Sequence, residues 1–225
     1  MLPEDHELLF LLKVYLDPKS EEWYANHGIP LRRGYLFYGP PGTGKTSLSL
    51  ALANFFGLNI YVINLAEPVL TDNSLLELAN DVPERCIVLL EDINTVGLKR
   101  FEVKKLKQIR ESSGRLAKRN GVTIGGIFNA FNGAASQEGR VLILVTNKPV
   151  NLDKAFIRPG RVNLKLCFDN ITKNYARDLF WRIYTPDTSA EINKLVKLAA
   201  EFGCKISEKI FSPAKIPNYL IIHKN

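Results

Sequence analysis

The sequence predicts an α/β fold, a parallel sheet covered by helices on both faces and followed by a small helical subdomain. Three observations predict it. Four short apolar runs, Tyr35–Tyr38, Asn59–Ile63, Ile87–Leu90 and Val141–Val145, read as buried strands and alternate with helical stretches. A glycine-rich loop stands directly between the first run and the helix expected over Lys45–Phe56, which Gly57 ends. After Asn170 the strand signal stops, and Thr172–Tyr184, Ala190–Phe202 and Pro213–His223 read as helices.

Each strand is apolar throughout rather than alternating, the pattern of a parallel sheet buried on both sides. A fifth strand, Leu164–Phe168, follows the Arg-Pro-Gly-Arg turn at 158–161. The predicted organisation is a lead-in over 1–20, a sheet subdomain over 21–170 and a helical lid over 171–225. Residues 97–120 interrupt the α/β alternation and read as an exposed insertion, helical around Phe101–Ile109. There are no internal repeats.

With 46% apolar and 24% charged residues, the 225-residue chain has the ordinary balance of a globular protein and can bury a core without disulfides or metals. Cys86, Cys167 and Cys204 lack the paired spacing of a zinc site or disulfide framework. Cys86 and Cys167 lie in apolar runs and are expected to be buried. No apolar run is long enough to span a bilayer, and the first residues, with Glu4, Asp5 and Glu7, do not read as a signal peptide. The net charge of +7 is local: residues 97–120 hold nine Lys or Arg and two acids, so the remainder is neutral. Direct nucleic-acid binding is therefore not expected, since no reader motif accompanies that segment.

The loop Gly39-Pro40-Pro41-Gly42-Thr43-Gly44-Lys45-Thr46-Ser47 carries the clearest chemistry. Glycines let backbone N–H groups close around phosphate oxygens, and the following helix N-terminus adds a favourable dipole. Lys45 is placed to reach β- and γ-phosphates, and the Thr46 hydroxyl to serve Mg²⁺. ATP and Mg²⁺ are the implied ligands. The run Ile87–Leu90 ends in Glu91 and Asp92, which puts two acids at the sheet edge where ligands gather. Glu91 is assigned to the metal and Asp92 to the attacking water, although Asp92 is a methylene shorter than the usual glutamate. Asn147 ends the next strand and can bond that water or the γ-phosphate. Arg158 and Arg161 put two guanidinium groups on a Pro-Gly turn, a means of stabilising transition-state charge on a phosphoryl group.

This ordered set resembles an AAA+ ATPase. Trp23-Tyr24, the Gly28–Gly39 segment, the order Glu91-Asp92 and the Phe128–Gly133 segment narrow the resemblance. Over roughly residues 15–222 the chain is similar to the mitochondrial AAA chaperones that assemble respiratory complex III by translocating the folded Rieske iron–sulfur protein. The resemblance implies a homo-oligomeric ring in which Arg158 and Arg161 act in trans, and ATP-driven movement of a protein client. It also implies location at the mitochondrial inner membrane, reached only through a segment absent from this chain. His27, Ile29 and the Ser212-Pro213-Ala214 turn are candidates for the adenine by the same resemblance. The family usually has acids where this chain has Asn94, Asn132 and Asn163, and each change removes a charge near the nucleotide or the subunit contact. These changes motivate a second reading, a non-hydrolysing nucleotide-dependent scaffold. A third, a nucleic-acid-associated member of the class, rests on the basic segment alone.

Overall fold

The computed structural model describes residues 3–93, 121–133, 136–147, 161–185 and 192–223. Asn94, the basic segment 97–120 and Arg158 lie outside the described residues. The chain divides into two compact units, one of Met1–Tyr38 with Thr46–Leu166, the other of Gly39–Lys45 with Cys167–Asn225.

The first unit is built on the sheet. Strands β1 (Arg33–Tyr38), β2 (Asn59–Asn64), β3 (Cys86–Glu91), β4 (Val141–Thr146) and β5 (Leu164–Cys167) take the order β2-β3-β4-β1-β5. The pairs β1/β4, β3/β4 and β2/β3 are parallel, as the uninterrupted apolar runs require. Side chains alternate between the two faces. Leu36, Val88, Leu90, Leu142 and Leu144 join one cluster with Leu75, Ile127 and Phe131, while Phe37, Ile87, Leu89 and Ile143 alternate with them and are equally buried. The expected α/β fold is therefore present, with its core on both sides of the sheet.

Helices enter with capping residues that the sequence supplies. Helix α1 (Pro3–Tyr15) buries Leu8, Leu12 and Tyr15, one stripe at helical spacing within the expected lead-in. Helix α2 (Pro18–Asn26) starts on Asp17, whose carboxylate accepts from the Lys19 N–H, with proline in the first turn. Helix α3 (Lys45–Phe56) follows the glycine-rich loop, as expected. Helix α4 (Asp72–Asp81) opens on a capping box between Thr71 and Ser74, and α5 (Ile124–Asn132) on the Thr123 hydroxyl. The Asp72 carboxylate joins these two helix starts, accepting from Thr123 N–H at 2.6 Å and Thr123 Oγ1 at 2.7 Å.

The second unit holds α6 (Lys173–Tyr184), α7 (Ile192–Lys205) and α8 (Lys215–Ile222) around Ile171, Ala176, Leu179, Ile216 and Leu220. Phe180 packs its ring against Tyr184 and Phe202, with centroids 4.7 and 5.1 Å away. Helix α8 begins after Pro213 rather than on it, so the 212–214 segment remains a turn. One expectation fails in this region. Cys167 is exposed, because β5 is an edge strand and Leu166 takes the inward position beside it. Cys86, on an interior strand, is buried as expected.

Candidate functional site

The sheet order reverses between β1 and β4: the chain leaves β1 towards the β2 edge and leaves β4 towards the β5 edge. Tyr38 and Thr146 end these strands in register. A switch point of this kind opens a crevice at the carboxyl ends of the strands. Gly39 follows one strand and Asn147, which is exposed, follows the other.

The loop 39–45 is shaped by close backbone approach. Gly39 has φ 142°, and a Cβ there would stand 1.8 Å from the Phe168 carbonyl oxygen, so only glycine fits. The Gly42 carbonyl accepts a 3.0 Å bond from the Ala214 N–H, which ties the middle of the loop to the turn before α8. Lys45 is 5% exposed, and its ammonium donates to the carbonyls of Gly39 at 2.9 Å and Pro40 at 2.6 Å and to Thr43 Oγ1 at 3.3 Å. Burial lowers its pKa below the usual lysine range. Thr43 in turn donates to Pro40 O at 2.8 Å. Pro41 and Ser47 are exposed, Ser47 in the first turn of α3.

One residue beyond the loop, Thr46 Oγ1 donates to Glu91 Oε1 at 2.6 Å. A hydroxyl and a carboxylate held together are oxygen donors of the hardness Mg²⁺ takes. Asp92 follows in the left-handed region, φ 55°. Aspartate tolerates that conformation better than glutamate does, because its short side chain bonds locally. The missing methylene noted in the sequence thus has a local backbone reason. Beyond it the chain is fixed again, with Ile93 buried and its N–H donating to Val145 O.

Arg161 is half-buried, and its guanidinium carbon lies 3.8 Å from the centroid of the buried Phe128 ring. Of Asn94, Asn132 and Asn163, the second and third are described. Asn163 exchanges two bonds with Gly34: its Oδ1 accepts from the Gly34 N–H at 2.9 Å, and its N–H donates to the Gly34 carbonyl at 2.7 Å. An amide oxygen serves this purpose without a charge. Asn132 offers its backbone carbonyl to Arg32 Nη1 at 2.6 Å, and Gly133 accepts from Arg32 Nη2 at 2.9 Å, closing the C-terminal end of α5. His27 caps α2, is exposed, and stacks on Trp23 with centroids 4.2 Å apart.

Thr46 and Glu91 are thus brought into contact, and Lys45 is folded onto its own loop. Residue spacing gave no sign of the Phe128–Arg161 stack or the Gly42–Ala214 bond. Phe128 opens the Phe128–Gly133 segment, and the signal that singles it out is an aromatic on a helix that feeds the same core as Val162.

Residues 35–170 match the family of ATPases associated with various cellular activities, AAA. The chain is also similar to named proteins. It is 41% identical over 180 residues to "Probable mitochondrial chaperone bcs1" of Schizosaccharomyces pombe, covering 79% of this chain and 38% of the relative. It is 36% identical over 206 residues to "Probable mitochondrial chaperone BCS1-A" of Dictyostelium discoideum, covering 92% and 46%. It is 34% identical over 216 residues to "Mitochondrial chaperone BCS1" of Bos taurus, covering 95% and 48%. The chain therefore spans less than half the length of these relatives. No helix among the described residues is long and apolar enough to cross a membrane.

Proposed function

Because the chain belongs to the AAA family of ATPases and is BCS1-like within it, we propose that it is the ATP-hydrolysing module of a ring-forming mitochondrial chaperone. The client would be a protein, moved or assembled at the inner membrane in the building of respiratory complex III. The observation that carries the reading to the level of chemistry is the 2.6 Å contact between Thr46 and Glu91. A second reason is Lys45, whose present acceptors are loop carbonyls that phosphate oxygens would replace.

In this reading Gly39, Pro40, Pro41, Gly42, Thr43 and Gly44 offer backbone to the phosphates of ATP. Lys45 turns to the β- and γ-phosphate oxygens, and Ser47 lies at the following helix start. Thr46 and Glu91 would hold Mg²⁺, Glu91 partly through water. A bound Mg²⁺ supplies charge neutralisation on the phosphate oxygens. Asp92 orients a water for attack on the γ-phosphorus and accepts its proton, while Asn147 bonds that water or the γ-phosphate. The bond from the γ-phosphorus to the β-bridging oxygen breaks, giving ADP and phosphate. Arg158 and Arg161 stabilise the charge at a neighbouring subunit's γ-phosphate.

The test is binding and turnover of ATP with Mg²⁺ by the purified chain. Lys45→Ala should abolish binding, and Asp92→Asn should abolish turnover while sparing binding. Nucleotide affinity that survives Lys45→Ala would sink the site assignment. Unchanged turnover in Asp92→Asn would remove Asp92 from its role.

A further inference from the structure

We propose that Phe128 is a positioning residue for Arg161, holding its guanidinium in a fixed place for use on a neighbouring subunit's nucleotide. The inference rests on the trans reading of Arg161 given above and deepens it. An arginine side chain carries considerable rotamer entropy, much of which it must lose at the moment it meets a phosphate. Fixing the side chain beforehand removes that cost from the reaction. Here the residue is fixed at both ends.

At the backbone end, Gly34 admits the Arg161 carbonyl so closely that a Cβ on residue 34 would stand 2.0 Å from its oxygen. The paired bonds between Gly34 and Asn163, 2.9 and 2.7 Å, then lock the chain two residues on. At the other end, the guanidinium carbon sits 3.8 Å from the Phe128 centroid, well inside the distance at which a cation is attracted to a ring face. Phe128 itself cannot drift. It is 4% exposed, on α5, within the cluster that holds Ile127, Phe131 and Val162. Arg161 is neither buried nor fully exposed, so its charge is oriented while part of it stays accessible.

A stack of this kind also adds ordinary stability, so the test separates the two roles. Phe128→Leu keeps an apolar side chain but removes the ring face. It should lower kcat for ATP about tenfold, the order expected for a misplaced group, and leave KM for ATP unchanged because the chain's own phosphate loop is untouched. Phe128→Tyr should restore most of the loss. Mixing the Phe128→Leu chain with the Lys45→Ala chain should give turnover above the sum of the two alone, since the second supplies an intact stack to the first one's nucleotide. Independently of turnover, the Arg161 Nε–H resonance should move downfield in Phe128→Leu as ring-current shielding is lost.

An unchanged kcat in Phe128→Leu, or an unmoved Arg161 resonance, would overturn the proposal. So would failure of the Phe128→Leu mixture to recover while an Arg161→Ala mixture with Lys45→Ala does. If neither mixture recovers, the trans reading of Arg161 has failed, and the proposal falls with it for that identifiable reason.

Discussion

Lys45 and Arg140 are both buried cations, 5% and 7% exposed, and burial lowers the pKa of each. Their partners differ in kind. Arg140 donates to the carbonyls of Ala79 at 2.7 Å and Pro83 at 3.2 Å, and also to Val82 O and Gln137 Oε1. Three of those acceptors lie at the C-terminal end of α4, where helix carbonyls have no partner of their own and the dipole favours a cation. Lys45 bonds to acceptors in its own loop, two to six residues away. Removing Arg140 orphans another element's backbone. Removing Lys45 takes a donor from the carbonyls of Gly39 and Pro40, which belong to its own loop. A buried charge tied to distant carbonyls reads as scaffolding; one tied to its own loop suits the proposed exchange of those carbonyls for phosphate oxygens.

The largest effect follows directly. Arg140→Ala should cost about 3 kcal/mol of unfolding free energy, because it leaves several buried carbonyls unpaired. The folded fraction should still bind Mg²⁺-ATP with its original Kd. Lys45→Ala should behave in the opposite way, with binding lost and stability within about 1 kcal/mol of the parent. Urea denaturation and nucleotide titration of both variants check this, and equal losses of stability would break the comparison.

The next effect sharpens the scaffold side. Tyr15 donates to Leu31 O at 3.1 Å and Arg140 O at 2.9 Å, and burial raises its pKa. Burial also pushes the Tyr35 phenol up from 10.0 to about 12. A group whose pKa is raised by folding contributes stability that is whole below its unfolded pKa and lost as pH rises through the folded one. Unfolding free energy should therefore hold up to about pH 10 and fall by about pH 12. The Tyr35 share is on the order of 2 kcal/mol. Comparing the parent with Tyr15→Phe and Tyr35→Phe across that range isolates it from the lysines, and a flat profile difference would refute it.

On the exchangeable side, Thr46→Val removes the hydroxyl that meets Glu91 while keeping its shape. Affinity for ATP with Mg²⁺ should fall about tenfold, the scale of one lost ligand or charged hydrogen bond. Affinity without Mg²⁺ should stay as it was. An equal loss in both conditions would place Thr46 in the scaffold instead.

The same division explains what the sequence disclosed. Strands β1, β3 and β4 were legible because both their faces are buried, which writes itself as unbroken apolar runs. Strand β2 was legible as a strand, but the burial expected of it fails, because it is the edge strand and Val62 is exposed. The loop was legible because the glycines, lysine and threonine that its chemistry calls for stand together in the sequence. Arg140 was not, since its carbonyl acceptors lie about sixty residues earlier, at and just beyond the end of α4, and nothing local marks them. The resemblance marked Asn163 only as the place of a lost acid and did not disclose that its amide oxygen and backbone N–H hold Gly34. Cys167 misled, because an apolar neighbourhood says nothing of whether its strand is central or at the edge.

The smallest effect concerns a polar atom with neither kind of partner. Tyr35 lies on β1 with no measurable exposure, and among the described residues its hydroxyl has no hydrogen-bond partner. Burying a hydroxyl without a bond carries a desolvation cost, and deleting it leaves the ring to pack as before. Tyr35→Phe should then raise stability at neutral pH by up to about 1 kcal/mol, with ATP binding unchanged. The sign decides the matter. A loss of 1 kcal/mol or more would mean that the hydroxyl is satisfied in solution by an ordered water and belongs with Tyr15 and Arg140 in the fixed network. A gain would mark it as a tolerated defect in the scaffold, unlike the bonded groups around Lys45 and Thr46 that the proposed nucleotide would take over.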